Sequence, residues 1–191
     1  MDGDKAALRA RLRAARLALG EPARAAASAA IAGRLAALPE LAQARSVVGY
    51  AALPGEVDLD PWLRERLARG DQVWLPRVDG PELRLGRVED LADLVPGWRG
   101  LREPPSGDGD PGAVDAAVVP GVGFDAGGGR LGQGGGHVDR LLARLPPGVP
   151  VIGVAFAVQL VGPPGVPREA HDRPVDLVVT EEGVHRQRCI G

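Results

Sequence analysis

The sequence predicts an α/β fold, a single-domain three-layer sandwich built on a mainly parallel sheet. Three observations predict it. Short, nearly unbroken apolar runs at 46–53, 113–119, 151–156 and 175–179 have the character of buried core strands. The segments between several of them carry apolar residues at helical spacing. Strands that alternate with helices pair in parallel through crossover connections.

Each element has its own signal. Residues 5–19 form a helix with Leu8, Leu12 and Leu17 on or near one face, broken at Gly20-Glu21-Pro22, and a second helix runs to about residue 38. The strand at 46–53 stops at Pro54-Gly55, and a helix at 59–67 is closed by Gly70. Residues 71–75 and 81–88 read as a second strand and a hairpin element. The Gly/Pro/Asp-rich stretch 103–112 is too short for a domain linker. The valine-rich run 113–119 ends at Pro120-Gly121. Further on, Leu141, Leu142 and Leu145 recur at helical spacing until Pro146-Pro147. The strand at 175–179 is the last of the core, with Gly183 turning the tail back.

Composition narrows the function. At 191 residues and 45% hydrophobic content the chain can bury a full core, and with 3% aromatics that core must be Ala, Val and Leu. A net charge of -2 gives no footprint for nucleic acid and no basic face for a membrane. No run approaches the roughly 20 apolar residues of a membrane span. The lone cysteine, Cys189, permits no internal disulfide, so a soluble, cytoplasmic protein is expected. His137, His171 and His185 lack close metal-ligand spacing, and Ser28, Ser46 and Ser106 stand in no nucleophile elbow. Of the 23 basic residues only Lys5 is a lysine. It is either a solvated surface charge or a compact cation that reaches a phosphate as a point charge.

The segment 124–140 is the most informative part of the chain, with seven glycines, two arginines and two aspartates between a strand and a helix. Glycines bring backbone N–H groups close to an anion, a helix start adds its positive dipole end, and Arg130 can grip phosphate oxygens bidentately. The same composition also suits a flexible connector. A Walker loop is ruled out, because the segment has neither lysine nor hydroxyl residue. A dinucleotide fingerprint is rejected for want of the acidic residue that should close the next strand. In a parallel sheet, ligands sit beyond the carboxyl ends of the strands. Glu56, Asp125, Arg130, Gln159 and His171-Asp172 all follow strands or lead into one. Each is a candidate for a shared cleft or else a cap or surface residue.

The motif Pro120-Gly121-Val122-Gly123-Phe124-Asp125, Gly129-Arg130-Leu131-Gly132, Gly134-Gly135-Gly136 and Asp139 closely resembles the signature of the 5-formyltetrahydrofolate cyclo-ligase family. Lys5 with Leu8-Arg9, Tyr50 with Glu56-Val57-Asp58, and Glu103-Pro104 are similar to further family motifs. So are Phe156 with Gln159, His171-Asp172 with Val175-Asp176, and Thr180-Glu181.

The resemblance implies a NagB/RpiA/CoA-transferase-like, Rossmann-like fold and an ATP- and Mg2+-dependent enzyme, acting as a monomer on a reduced folate. It would convert 5-formyltetrahydrofolate to 5,10-methenyltetrahydrofolate, with release of ADP and phosphate. By that analogy Lys5 and Arg130 act on the transferring phosphoryl group. Lys5, Arg9, Arg130, Gly132, Gln133, Gly134, Gly135 and Gly136 hold ATP. Tyr50, Glu56, Gly136 and His137 line the folate site, and Asp139 and Asp172 supply carboxylates to Mg2+. On residue type alone, Asp139 in a first helical turn also reads as a dipole partner or cap.

The chain departs from the family pattern at His137-Val138, where the family has Tyr-Tyr, and at Gly135, where a basic or small residue is usual. The first departure exchanges stacking area for an imidazole. It leaves open a relative that binds a folate or nucleotide without turnover, or that has changed its substrate.

Overall fold

The computed structural model describes residues 2–168 and 173–187. The chain opens with helices α1 (Asp2–Ala18), α2 (Glu21–Ala36) and α3 (Pro39–Ala42), then strand β1 (Ser46–Val48) and helix α4 (Asp60–Ala68). A long hairpin follows, β2 (Gln72–Asp79) and β3 (Glu82–Val88), and then two short strands, β4 (Val95–Pro96) and β5 (Arg102–Glu103). Next come β6 (Ala116–Pro120), β7 (Gly123–Asp125), β8 (Arg130–Leu131) and helix α5 (His137–Leu142). The chain ends with β9 (Val151–Val154), β10 (Leu160–Val161), β11 (Leu177–Val179) and β12 (Val184–Arg186).

Seven strands form one sheet in the order β12-β11-β9-β6-β1-β2-β3. The five inner strands pair in parallel, and β3 and β12 close the two edges antiparallel. Side chains alternate across it with the period of two that a strand imposes. Val47, Ala116, Val118, Ile152, Val154, Leu177 and Val179 share one core with Ile31 and Leu35 of α2, Leu41 of α3, and Trp62 and Leu63 of α4. Val48, Ala117, Val119, Val151 and Val178 face the opposite way, onto Leu141 and Leu142 of α5. Helices thus cover both faces, which is the expected three-layer sandwich.

The sheet has a topological switch point. From β1 the chain moves outward to β2, and it returns on the other side of β1 as β6. The crevice beyond the carboxyl ends of β1 and β6 is where such folds bind ligands.

Several boundaries differ from the sequence expectation for physical reasons. The strand expected at 46–53 leaves the sheet after Val48. Residues beyond it fold back as a loop, tied by the Tyr50 hydroxyl to the Val57 carbonyl at 2.9 Å and by the Leu53 N–H to Glu56 at 3.2 Å. Leu17 is 58% exposed and does not share the stripe of Leu8 and buried Leu12. Five residues at ~100° each carry it about 140° round the helix. The glycine-rich segment is not a plain loop. It contains the hairpin β7–β8, which pairs with β10 in a second, three-stranded sheet. Leu12 of α1 packs against Val122, Leu131 and Val166 there, so α1 is docked on the glycine segment rather than on the main sheet.

Candidate active site

The switch point opens into a cavity of about 560 Å³. Its wall brings together, from remote parts of the sequence, Lys5 and Arg9, Tyr50 and Glu56, Arg130, Gly132 to Gly136, His137 and Asp139. Every described residue that the family resemblance assigned to the site therefore lines it, whereas the strand-end candidates Asp125 and Gln159 do not. Asp172 and His171 lie outside the described residues.

Part of the wall is cationic and lined by glycine. Lys5 and Arg9 sit one helical turn apart on α1, and Arg9 Nε donates to the Gly132 carbonyl at 2.9 Å. Gly134 and Gly136 have φ of 109° and 63°, a left-handed backbone that glycine adopts without strain. A Cβ on Gly135 would stand 2.6 Å from the His137 ring, so the segment leaves no room for a larger residue without a shift. The hairpin before it is set by Asp125, whose carboxylate accepts from the N–H groups of Gly127, Gly129 and Val166 and from Arg168, each at 2.8 Å. Burial acts to raise the Asp125 pKa, but these donors outweigh it and hold the group below its ordinary value. Asp125 is thus a structural anchor.

Arg130, with its side chain 3% exposed, donates through Nη2 to the Asp139 carboxylate and through Nη1 to the Pro120 carbonyl at 3.4 Å. Its Nε is buried with no hydrogen-bond partner among the described residues. The arginine and the aspartate, assigned separately to phosphate and to metal by the family resemblance, are an ion pair here. Among the described residues no group of three or more His, Cys, Asp or Glu side chains converges on a metal-sized site.

The wall also carries apolar residues and one largely buried carboxylate. Leu53, Pro76, Val78, Leu83, Trp98 and Leu101 make up the apolar set. Burial pushes the Glu56 carboxyl above its ordinary value, against the Leu53 N–H, Arg16, Gln133 and Arg13. Burial also pushes the Tyr50 hydroxyl well up, and the neighbouring Glu56 adds to the effect. The Tyr50 hydroxyl is committed to the Val57 carbonyl.

Sequence reasoning missed Trp98. Its loop is closed by the pairing of β4 with β5, and the buried Glu103 carboxylate accepts the Trp98 N–H at 3.0 Å. The Trp98 ring meets His137 edge-on, with centroids 5.9 Å apart and planes at 62°. Arg13 and Arg16 were missed as well, although they continue the helical spacing of Lys5 and Arg9. Gln159, a strand-end candidate, is buried and bonded to Phe156, Gly121 and Val122. It is a strut.

The sequence profile of the 5-formyltetrahydrofolate cyclo-ligase family matches residues 1–181. The chain belongs to that family. It is 40% identical to the Aquifex aeolicus 5,10-methenyltetrahydrofolate synthetase, whose NMR structure matches with a TM-score of 0.84 over 96% of this chain and 93% of that one. The Mycoplasma pneumoniae 5,10-methenyltetrahydrofolate synthetase is 25% identical, with a TM-score of 0.75 over 93% of this chain and 99% of its own. The 5-formyltetrahydrofolate cyclo-ligase of Escherichia coli K12 is 29% identical over 162 residues, 79% of this chain and 86% of that protein. Within this cyclo-ligase chain the motif residues of the amino-terminal helix, the β1 loop and the glycine segment border one cavity.

Proposed function

We propose that the protein catalyses the ATP- and Mg2+-dependent cyclisation of 5-formyltetrahydrofolate to 5,10-methenyltetrahydrofolate, releasing ADP and phosphate. The observation that carries this reading is the make-up of the cavity wall. Lys5, Arg9, Arg130 and a run of glycines form one part of it, and an apolar set with Glu56 forms another. A triphosphate suits the first and a pterin the second.

The chemistry explains why both are needed. A formamide carbonyl is a poor electrophile because its nitrogen lone pair is delocalised into it. Transfer of the ATP γ-phosphoryl group to the formyl oxygen makes that oxygen a leaving group. The folate N10 amine then attacks the formyl carbon and loses its proton, phosphate departs, and the ring closes. The protein's part is positioning and charge neutralisation.

Lys5, Arg9 and Arg130 would hold phosphate oxygens, and the N–H groups of the glycine segment would line the same oxygens from the other side. Glu56 would accept hydrogen bonds from the pterin, with Tyr50 in the same wall. The site's donors fit Mg2+, which is commonly held by one or two carboxylates together with phosphate oxygens and water. Asp139, 21% exposed beside Arg130, offers one such carboxylate, and Asp172 would offer another. When bound there, Mg2+ would neutralise charge on the phosphates. We further infer that the protein acts as a monomer in the cytoplasm.

The test is growth of the methenyl chromophore on mixing the protein with 5-formyltetrahydrofolate, MgCl2 and ATP. Growth is expected only when ATP is present. The Trp98–His137 contact favours one second reading, a relative whose pocket has been reshaped for a different ligand. ATP binding without any chromophore growth would select it.

A further inference from the structure

Gln133 is the only residue between Leu131 and His137 that has a side chain beyond hydrogen. Both polar atoms of that side chain are engaged. Its Oε1 accepts from Arg13 Nη2 of α1 at 2.5 Å, and its Nε2 donates to Glu56 Oε1 at 3.0 Å. The neighbours fix the sense of the amide, because a guanidinium only donates and an ionised carboxylate only accepts. Glu56 Oε2 accepts the Leu53 N–H at 3.2 Å, and Arg16 stands 3.8 Å from Oε1.

We propose that Gln133 is a positioning residue for Glu56, tying the glycine segment to the substrate-side carboxylate and presenting that carboxylate to the folate. The proposal rests on the reading of Glu56 as a folate contact. It moves the action of Gln133 from the nucleotide to the folate. Three groups reach Glu56 from three parts of the chain: Arg16 from α1, the Leu53 N–H from the β1 loop, and Gln133 from the glycine segment. Arg13 acts at one remove, by holding the amide the right way round. Burial disfavours the charged form of Glu56, and the Gln133 donor opposes burial. Loss of that donor leaves Glu56 both less fixed and less ionised.

The experiment is a double-mutant cycle on dissociation constants measured by calorimetry, with 5-formyltetrahydrofolate and a non-hydrolysable ATP analogue as the two probes. Gln133→Met has a similar length and no hydrogen-bonding amide. It should weaken folate binding by about fivefold, as loss of one partly exposed hydrogen bond to a charged group does. Nucleotide binding should change by less than about twofold, and melting temperature by less than about 2 °C. Gln133→Asn, whose amide cannot span the gap, should behave alike. In a Glu56→Gln background, Gln133→Met should add almost nothing.

Weakened nucleotide binding with unchanged folate binding would overturn the proposal, as would penalties that simply add. Glu56→Gln with unaltered folate binding would instead remove the folate-contact reading of Glu56 itself, and the proposal with it.

Discussion

The guanidinium of Arg130 and the carboxylate of Asp139 pair across the corner between β8 and α5, in the wall of the cavity. Arg130 also reaches the Pro120 carbonyl at the end of β6. A lysine presents its three donors from a single nitrogen and lacks the planar fork by which one guanidinium faces these two acceptors and a phosphate together. Arg130→Lys should therefore raise the Michaelis constant for ATP by about tenfold or more, a loss typical of a charge-assisted, forked contact. The folate Michaelis constant should change much less. Steady-state kinetics with each substrate varied in turn checks this, and equal damage to both constants would point to collapse of the corner instead.

Arg16 and Glu56 lie 3.8 Å apart with side chains 8% and 7% exposed. Burial pulls the Arg16 pKa down and pushes the Glu56 pKa up, so for each group burial outweighs the attraction of its partner. Arg16→Met should destabilise the protein by about 1–3 kcal/mol at neutral pH, since it strips a buried carboxylate of its cation. The double variant Arg16→Met/Glu56→Gln should recover most of that loss. The pH dependence has a definite sign. A carboxyl raised in the folded state contributes stability that is full below its unfolded pKa and is lost as pH rises through the folded value. Wild type should thus lose ground to Glu56→Gln between about pH 4 and pH 7, whatever the offset between them. Urea unfolding at the two pH values measures it, and a constant difference would contradict the shift.

Asp125 behaves in the opposite sense. Its pKa is held down, so its contribution is present above the unfolded carboxylate value and disappears as pH falls through the lower folded one. Asp125→Asn should cost about 2 kcal/mol at pH 7, because two glycine N–H groups, the Val166 N–H and the Arg168 guanidinium lose a charged acceptor. Arg168 is 38% exposed, and solvent screening limits its share. Thermal melts at pH 7 and near pH 3 should show the two proteins converging in acid.

A control lies at the amino ends of the strands, away from the crevice at their carboxyl ends. The Asp71 carboxylate is fully buried and faces Arg66 at 3.0 Å, Arg45 at 3.1 Å and Arg69 at 3.5 Å. The Arg66 Nε–H is close to Asp71 without aligning as a hydrogen bond, and its other nitrogens serve the Leu41 and Ala44 carbonyls. Asp71→Ala leaves the buried guanidinium of Arg66 without its counter-charge and should cost about 3–5 kcal/mol. Both Michaelis constants should be unchanged wherever the variant is folded. A selective kinetic defect would show that this end of the sheet communicates with the cavity.

The layered sheet was legible because its inner strands have to be apolar on both faces, and Val47-Val48, Val118-Val119 and Val178-Val179 say so locally. The β7–β8 hairpin was not legible. Its strands are three and two residues long, below any periodicity, and Val166, Arg168 and β10, which hold it, come from elsewhere in the chain. The same holds within the cavity. Lys5, Arg130 and the glycines announce themselves by residue type and spacing, whereas the contacts of Gln133 with Glu56 and of Trp98 with His137 span 77 and 39 positions and exist only after folding. Glu103-Pro104 was visible as a motif, but its work, holding the Trp98 loop through a backbone N–H, was not.

His137 is the residue on which retained or altered specificity turns. It meets Trp98 edge-on at 5.9 Å, a geometry that aromatic pairs favour, so the imidazole fills part of the space a tyrosine ring would fill. Trp98 is 42% exposed, and the Glu103 carboxylate fixes its backbone. A phenol at 137 adds stacking area without adding charge, and it can keep the edge-on contact with Trp98. His137→Tyr should lower the Michaelis constant for 5-formyltetrahydrofolate by about threefold to tenfold, the range for a gained aromatic contact of ~1 kcal/mol. The constant for ATP should not follow. Trp98→Ala should act in the reverse direction on the same constant, and in that background His137→Tyr should gain less, because the ring would no longer be braced. A His137→Tyr enzyme with an unchanged or poorer folate constant would mean that the imidazole recognises a group a phenol cannot, and the search for the substrate would begin at that pair.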